Sequence, residues 1–225
     1  MRKIIYLLMV AVMSFSGLAS AQNLAAQNDP KAQEILDAMS KKYKDMAAFK
    51  AKFSFTLEND KNGIKDGSDG EIVVKGQKFH LKLPGQEIFN NGTTVWTYSK
   101  ESGGTGGDLT ISAPDTDEDA MNPTKIYSLY KKGYKYVMMS DNVKEGTQLF
   151  SIVDLEPIDK KSQFYKIRIT INKKDKSVKS WKMYERSGNR YTYTIKNFIP
   201  DYKVDDAYFT FDKTKYKVSQ ETDLR

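Results

Sequence analysis

Phe49-Lys50-Ala51-Lys52-Phe53-Ser54-Phe55-Thr56-Leu57-Glu58 alternates apolar and polar side chains without a break. A period of two places Phe49, Ala51, Phe53, Phe55 and Leu57 on one face of a strand and leaves the other face to water. A strand with one wet face belongs to an antiparallel sheet covered on one side. Just upstream the period changes. Asp29-Pro30 joins an N-cap residue to a proline suited to the first helical position. Ile35, Leu36, Met39, Tyr43 and Met46 follow at helical spacing, with Lys41, Lys42 and Lys44 on the other side. This predicts an amphipathic helix of about five turns, whose apolar stripe must cover something.

Downstream of Glu58 the alternation recurs in short segments between turn signals. Asp66-Gly67-Ser68-Asp69-Gly70 reads as punctuation, followed by strands over Glu71 to Lys75 and Lys78 to Leu83 around Gly76-Gln77. Asn90-Asn91-Gly92 marks a hairpin before Thr93 to Ser99, and glycine-rich Ser102 to Gly107 leads to Asp108 to Ser112. A polar, acidic interruption from Ala113 to Pro123 precedes a short helix predicted over Thr124 to Lys132. Strands resume at Tyr134 to Met139, Gln148 to Leu155 and Phe164 to Asn172. Ser177 to Glu185, Arg190 to Asn197 and Tyr208 to Phe211 complete about eleven, mostly sequential neighbours. Sequential short strands with tight turns imply an antiparallel meander, and this number closes most naturally as a barrel or half-barrel. The fold class is therefore mainly β (α+β). Such a wall is too wide to be filled by its own side chains, so helices are expected to plug or lid an apolar interior.

The ends of the chain and its composition narrow the functions available. Arg2 and Lys3, the apolar run Ile4 to Phe15, and Ala19-Ser20-Ala21 before Gln22 form a signal peptide with an A-x-A cleavage site. The apolar run is too short for a bilayer core, which needs about 20 residues. A bacterial lipoprotein would carry Cys where Gln22 stands, so the expected product is exported, soluble and unanchored. The division expected is a signal peptide over 1–21, a flexible mature N-terminus over 22–28, one domain over 29–217 and a C-terminal tail over 218–225. The chain has no cysteine, which excludes disulfides, thiolate metal sites and cysteine nucleophiles together. Its net charge of +7 is spread along the sequence and reads as a solvated surface.

Candidate chemistry is sparse. The single histidine, His80, falls on the polar side of Lys78 to Leu83 beside Lys78 and Lys82, and is expected to be solvated. No serine sits in an elbow motif to use it as a base. Asp115-Thr116-Asp117-Glu118-Asp119 fails as a calcium loop, because Ala120 and Ile126 occupy the positions that require Gly and Glu. Export and inward-facing aromatics argue against nucleic acid. No cofactor and no metal is expected, and no enzymatic activity. What remains is binding in an apolar cavity, with Phe53, Phe55, Ile72, Val74, Phe79, Leu81, Leu83, Trp96, Tyr98, Ile169, Trp181 and Met183 as its candidate lining and Leu36 and Met39 contributed by the helix. The competing reading is a non-catalytic cell-envelope interaction domain whose barrel is filled by its own side chains.

The order of elements resembles the periplasmic outer-membrane lipoprotein carrier family (LolA). The segments that carry the resemblance are Phe49-Lys50-Ala51-Lys52-Phe53, Gly70-Glu71-Ile72-Val73-Val74-Lys75 and Asn91-Gly92-Thr93-Thr94-Val95-Trp96-Thr97-Tyr98. The last is similar to the family's D-G-K-T-L-W-x-Y strand. Ile169-Thr170-Ile171-Asn172 and Ala207-Tyr208-Phe209-Thr210-Phe211 look like its closing strands. The resemblance implies an incomplete barrel of about eleven strands with a helical lid. It implies a periplasmic monomer that takes acylated lipoproteins from an inner-membrane ATP-driven (ABC) release complex, shields their acyl chains and delivers them to an outer-membrane acceptor. It also aligns Phe79 with a strand phenylalanine that faces the cavity near the lid. One departure stands out: the family's V-K-R-P arginine, which holds the lid shut, is replaced by Gly76 in Val74-Lys75-Gly76-Gln77.

Overall fold

The structure, a computed structural model, describes residues 28–101, 103–114 and 127–225. The expected signal peptide, the acidic stretch 115–119 and the start of the short helix predicted from Thr124 lie outside the described residues. The first helix, α1, runs over Pro30–Asp45. Asp29 caps it by accepting hydrogen bonds from the backbone N–H of Lys31 and Ala32 at 2.8 and 3.3 Å, which satisfies two of its orphan donors. The face at 3.6-residue spacing, Ala32, Ile35, Leu36, Met39 and Tyr43, is buried.

Among the described residues twelve strands follow in chain order. They are β1 (Phe49–Asn59), β2 (Ile64–Lys75), β3 (Lys78–Leu83), β4 (Gln86–Asn90), β5 (Val95–Lys100) and β6 (Gly107–Ser112), then β7 (Tyr134–Glu145), β8 (Gln148–Pro157), β9 (Phe164–Asn172), β10 (Val178–Glu185), β11 (Arg190–Pro200) and β12 (Val218–Asp223). All belong to one sheet, ordered β12-β6-β5-β4-β3-β2-β1-β11-β10-β9-β8-β7. The expected antiparallel meander is what forms, except that β12 runs parallel to β6 and that β1 bridges the two halves by pairing with both β2 and β11. The terminal strands of the order, β12 and β7, are not neighbours, so the wall is an incomplete barrel.

Several expectations about this wall are corrected. Asp66 to Gly70 is not a turn but the first half of β2. The reversal instead uses Asp60–Asn62 and Gly63 at φ +64, with the Asn59 side chain accepting from Asn62 N–H. Gly70 is required there by packing rather than by turning: a Cβ would come 2.4 Å from Cζ of Phe53, its cross-strand partner, whose ring covers the glycine. Tyr208 to Phe211 is not a strand, because Asp206–Phe209 winds into one 3₁₀ turn. The supposed tail contains β12, and β4 was not anticipated as a separate strand. Within the predicted helix to Lys132, the described part is a turn leading to a 3₁₀ segment at Leu129–Lys131.

Two cores result, one on each face of the sheet. On the concave face α1 lays Leu36 and Met39, both fully buried, against residues such as Val153, Leu155, Ile169 and Ile171. On the convex face Phe89, Tyr98, Leu109 and Ile111 are covered by Phe211, with Tyr216 and Val218 packed around them. That second core changes the reading of His80. It does lie on the face opposite Phe79 and Leu81, but it is only 4% exposed, and its ring stacks on Phe89 at 3.8 Å between centroids. Its Nε2 is 3.0 Å from Glu87 Oε2, which also accepts a hydrogen bond from the Tyr216 hydroxyl at 2.9 Å.

Candidate functional site

The concave face is apolar because consecutive strands bring their alternating residues into register. Phe53 of β1 lies between Gly70 of β2 and Ile195 of β11, and Phe55 lies between Ser68 and Tyr193. Across the next ladders Ile72 faces Leu81, and Tyr193 faces Trp181. Packing around α1 consumes one part of this face. The rest encloses a cavity of about 660 Å³, within the range of roughly 300–1,000 Å³ typical of small-molecule sites.

Both halves of the sheet build its wall. β1, β2 and β3 contribute Phe53, Phe55, Ile72, Leu81 and Leu83, while β9, β10 and β11 contribute Phe164, Ile167, Trp181, Met183, Tyr193 and Ile195. One end is stopped by Tyr43 of α1 together with Tyr127, Leu129, Tyr134 and Phe198. Tyr43 and Tyr127 stack face to face at 5.5 Å, and the Tyr43 hydroxyl accepts a hydrogen bond from Val178 N–H at 3.0 Å. The other end lies where the β1–β2 and β3–β4 hairpins turn, and it carries Asp66, Gly67, Ser68, Pro84 and Gln86. Aromatic rings thus line the cavity along its length, and polar side chains join them at the hairpin end.

Electrostatics reinforce this character. Burial pushes the Tyr43 phenol up to about 12, against the backbone hydrogen bond from Val178. Burial does the same to Tyr193, also to about 12. Both phenols stay neutral near pH 7, so the deep wall offers no charge. Trp181 stacks on Tyr193 at 4.8 Å, and its buried N–H has no hydrogen-bond partner among the described residues. Among the described residues no group of three His, Asp or Glu side chains is placed to hold a metal.

The candidate lining divides into three groups. Phe53, Phe55, Ile72, Leu81, Leu83, Trp181 and Met183 stand on the cavity wall. Leu36, Met39, Val74, Phe79 and Ile169 are packed into the concave core, with Phe79 only 7% exposed. Trp96 and Tyr98 belong to the convex core and face away from the cavity. Sequence reasoning passed over Tyr193 and Ile195, although the alternation Tyr191-Thr192-Tyr193-Thr194-Ile195 carries the signal. What it lacked was the pairing of β11 with β1, far apart in the chain, which sets those side chains beside Phe53 and Phe55. Gly76, at the position where the resemblance implies a lid-holding arginine, sits at φ +60 in the turn between β2 and β3, a backbone conformation that disfavours any side chain bearing a Cβ. The adjacent lysines are engaged elsewhere, Lys75 and Lys78 both pairing with Asp206 at 2.8 and 2.5 Å.

The profile of the family described as outer membrane lipoprotein carrier protein LolA matches residues 44–212. The chain belongs to that family. Among solved structures, an uncharacterized conserved protein from Thermus thermophilus superposes with a TM-score of 0.54 at 13% identity, covering 84% of this chain and 99% of that one. A LolA superfamily protein from Nitrosomonas europaea gives 0.41 at 13% identity over 80% and 97% of the two chains. The Mycobacterium tuberculosis lipoprotein LppX gives 0.48 at 9% identity over 79% and 99%. No curated protein matches the sequence. The likeness to the Thermus protein is one of fold.

Proposed function

We propose that this chain is an exported carrier that shields the acyl chains of lipoproteins in the cavity and ferries them between the inner and outer membranes. The observation that carries this reading is the unfilled apolar space of about 660 Å³ inside a sheet that otherwise packs closely on both faces. An interior that filled itself would leave no such void, because native cores contain few holes larger than a water molecule. Each buried CH₂ contributes about 0.8 kcal/mol, so a long acyl chain gains roughly 10 kcal/mol on entering. No bond is broken in this cycle and no cofactor is needed. Loading falls to an inner-membrane ATP-driven release complex, and unloading to an outer-membrane acceptor that binds the chains more tightly. The start of the sequence, with its cleavage motif before Gln22, supports export to the periplasm, and no described helix is long and apolar enough to cross a membrane.

The test is native mass spectrometry of protein purified gently from a Gram-negative host, beside a Phe55→Glu variant. Phe55 is half-buried on the wall, so the new carboxylate reaches water and the fold survives. The wild type is expected to retain acylated ligand and to take up an apolar fluorophore. The variant is expected to lose both while keeping its far-UV spectrum. A ligand-free wild type that also excludes the fluorophore would defeat the proposal.

A further inference from the structure

The positive charge that is spread along the sequence is gathered in space at one end of the sheet. The last turn of α1, the end of β7 and the turn from β9 into β10 meet there. Lys42 pairs with Asp175 at 3.3 Å, Lys173 with Asp141 at 2.9 Å, and Lys179 with Glu145, so side chains tie all three together. The backbone closes the same corner, where Lys173 N–H donates to Leu149 C=O at 2.9 Å. Residues 41–45, 141–145 and 173–179 hold eight lysines, four carboxylates and no arginine.

Each carboxylate is taken by one lysine, since Asp45 completes the set by pairing with Lys41. Among the described residues Lys44, Lys144, Lys174 and Lys176 are left without a carboxylate. The first three are exposed, and Lys176 donates to Lys173 C=O at 2.6 Å. This end thus carries a surplus of four positive charges, more than half of the chain's +7. Leu149, 43% exposed, lies across the ladder from Lys144, so an apolar side chain stands among the free ammonium groups.

Four like charges brought together repel one another, and a negative partner relieves that repulsion. The chemistry of the charges says which partner. Recognition of a carboxylate in a fixed geometry favours the planar fork of arginine, and none is present. Ammonium groups on flexible stems suit the diffuse field of anionic lipid headgroups, where each lysine strengthens binding by roughly five-fold.

We propose that this lysine pole docks the protein on an anionic lipid surface. The inference needs only the charge distribution and does not rest on the carrier reading. Tyr43, which closes one end of the cavity, belongs to the same turn of α1 as Lys42 and Lys44, so docking brings that end of the cavity to the lipid.

The experiment sediments the full mature chain with vesicles of two parts phosphatidylcholine to one part phosphatidylglycerol, and with vesicles of phosphatidylcholine alone. Binding to the anionic vesicles only is expected, and it should fade as salt rises, because the attraction is screened over about 8 Å at physiological ionic strength. Lys44→Gln, Lys144→Gln and Lys174→Gln together should weaken it by about a hundred-fold. Lys61→Gln, Lys65→Gln and Lys160→Gln, exposed lysines at the far end of the same sheet, lower the net charge equally and should weaken it by less than about ten-fold. All six side chains are in water, so both variants should keep the parent's unfolding midpoint. Vesicles should slow amide exchange over 41–46 and 172–177 and leave 59–65 unchanged. Equal binding to the two vesicle types, no binding to either, equal loss in the two variants, or protection confined to 59–65 would each overturn the proposal. A wild type that ignores both vesicles but binds polyglutamate through the same three lysines would overturn it in favour of an acidic protein partner.

Discussion

His80 shows how a single side chain is governed by residues far away in sequence. Alternation alone puts it on the outer face beside Lys78 and Lys82, and so predicts a solvated ring. The chain then returns more than a hundred residues later to lay Tyr208 over the same spot, 4.9 Å from the imidazole centroid. Burial lowers the imidazole pKa below the usual 6.5, with the Glu87 hydrogen bond opposing and Lys82 adding to the shift. The sign follows from proton counts. Below about 6.5 the unfolded chain holds a proton on this ring that the folded chain resists, so the unfolded state binds more protons and stability falls with falling pH. Above that range the ring is neutral in both states and contributes no pH dependence. Thermal unfolding midpoints should be flat from pH 8 to 7 and decline from 6.5 toward 5. His80→Leu should remove that part of the decline, and an identical pH profile in the variant would refute the assignment.

Among the elements, α1 is where sequence and structure agree most fully, because its start, its length and its buried stripe are all local properties. Its Leu36 and Met39 were candidates for the cavity, yet they are spent on fixing the helix to the sheet. Leu36→Ala should therefore destabilise the protein by about 2–5 kcal/mol, read from denaturant unfolding, rather than alter ligand capacity. The same logic governs Phe79→Glu. At 7% exposure within the concave core, a carboxylate there has no route to water and should unfold the chain, whereas Phe55→Glu on the wall should not. Strand legibility followed the same divide. β1, β9, β10 and β11 are long, alternate cleanly and were readable. β4, Gln86-Glu87-Ile88-Phe89-Asn90, is short and has both of its apolar residues adjacent, since Ile88 faces the concave side and Phe89 the convex core. β2 was half hidden because Gly67 and Gly70 read as turn signals, although Gly70 is there to pass under the Phe53 ring. Tyr208 to Phe211 alternates convincingly, but it has no strand to pair with. Phe211 instead covers the outer core, Tyr208 lies over His80, and Phe209 is fully buried.

For the whole molecule, a sheet that stops short of closing has two open edges, and such edges invite pairing between copies. At one edge β12 presents Ser219, Gln220, Glu221, Thr222 and Asp223, exposed and partly acidic. At the other, β7 is occupied by the residues that lead into the helix. Asp29 N–H donates to Tyr136 C=O at 3.1 Å, Asn28 Oδ1 accepts from Tyr136 N–H at 3.2 Å, and Asp29 Oδ2 accepts from Met138 N–H at 3.1 Å. Replacing Asn28 by Ala together with Asp29→Ser keeps a helix cap but withdraws the side chains that reach β7. Light scattering against protein concentration should then show more association than the parent chain does, and a variant that associates no more than the parent would count against this role. Those few bonds act as a counterfeit thirteenth strand. They let the wall remain an unfinished cylinder, open enough to admit a guest, without offering its raw margin to the next molecule as a template for a fibre.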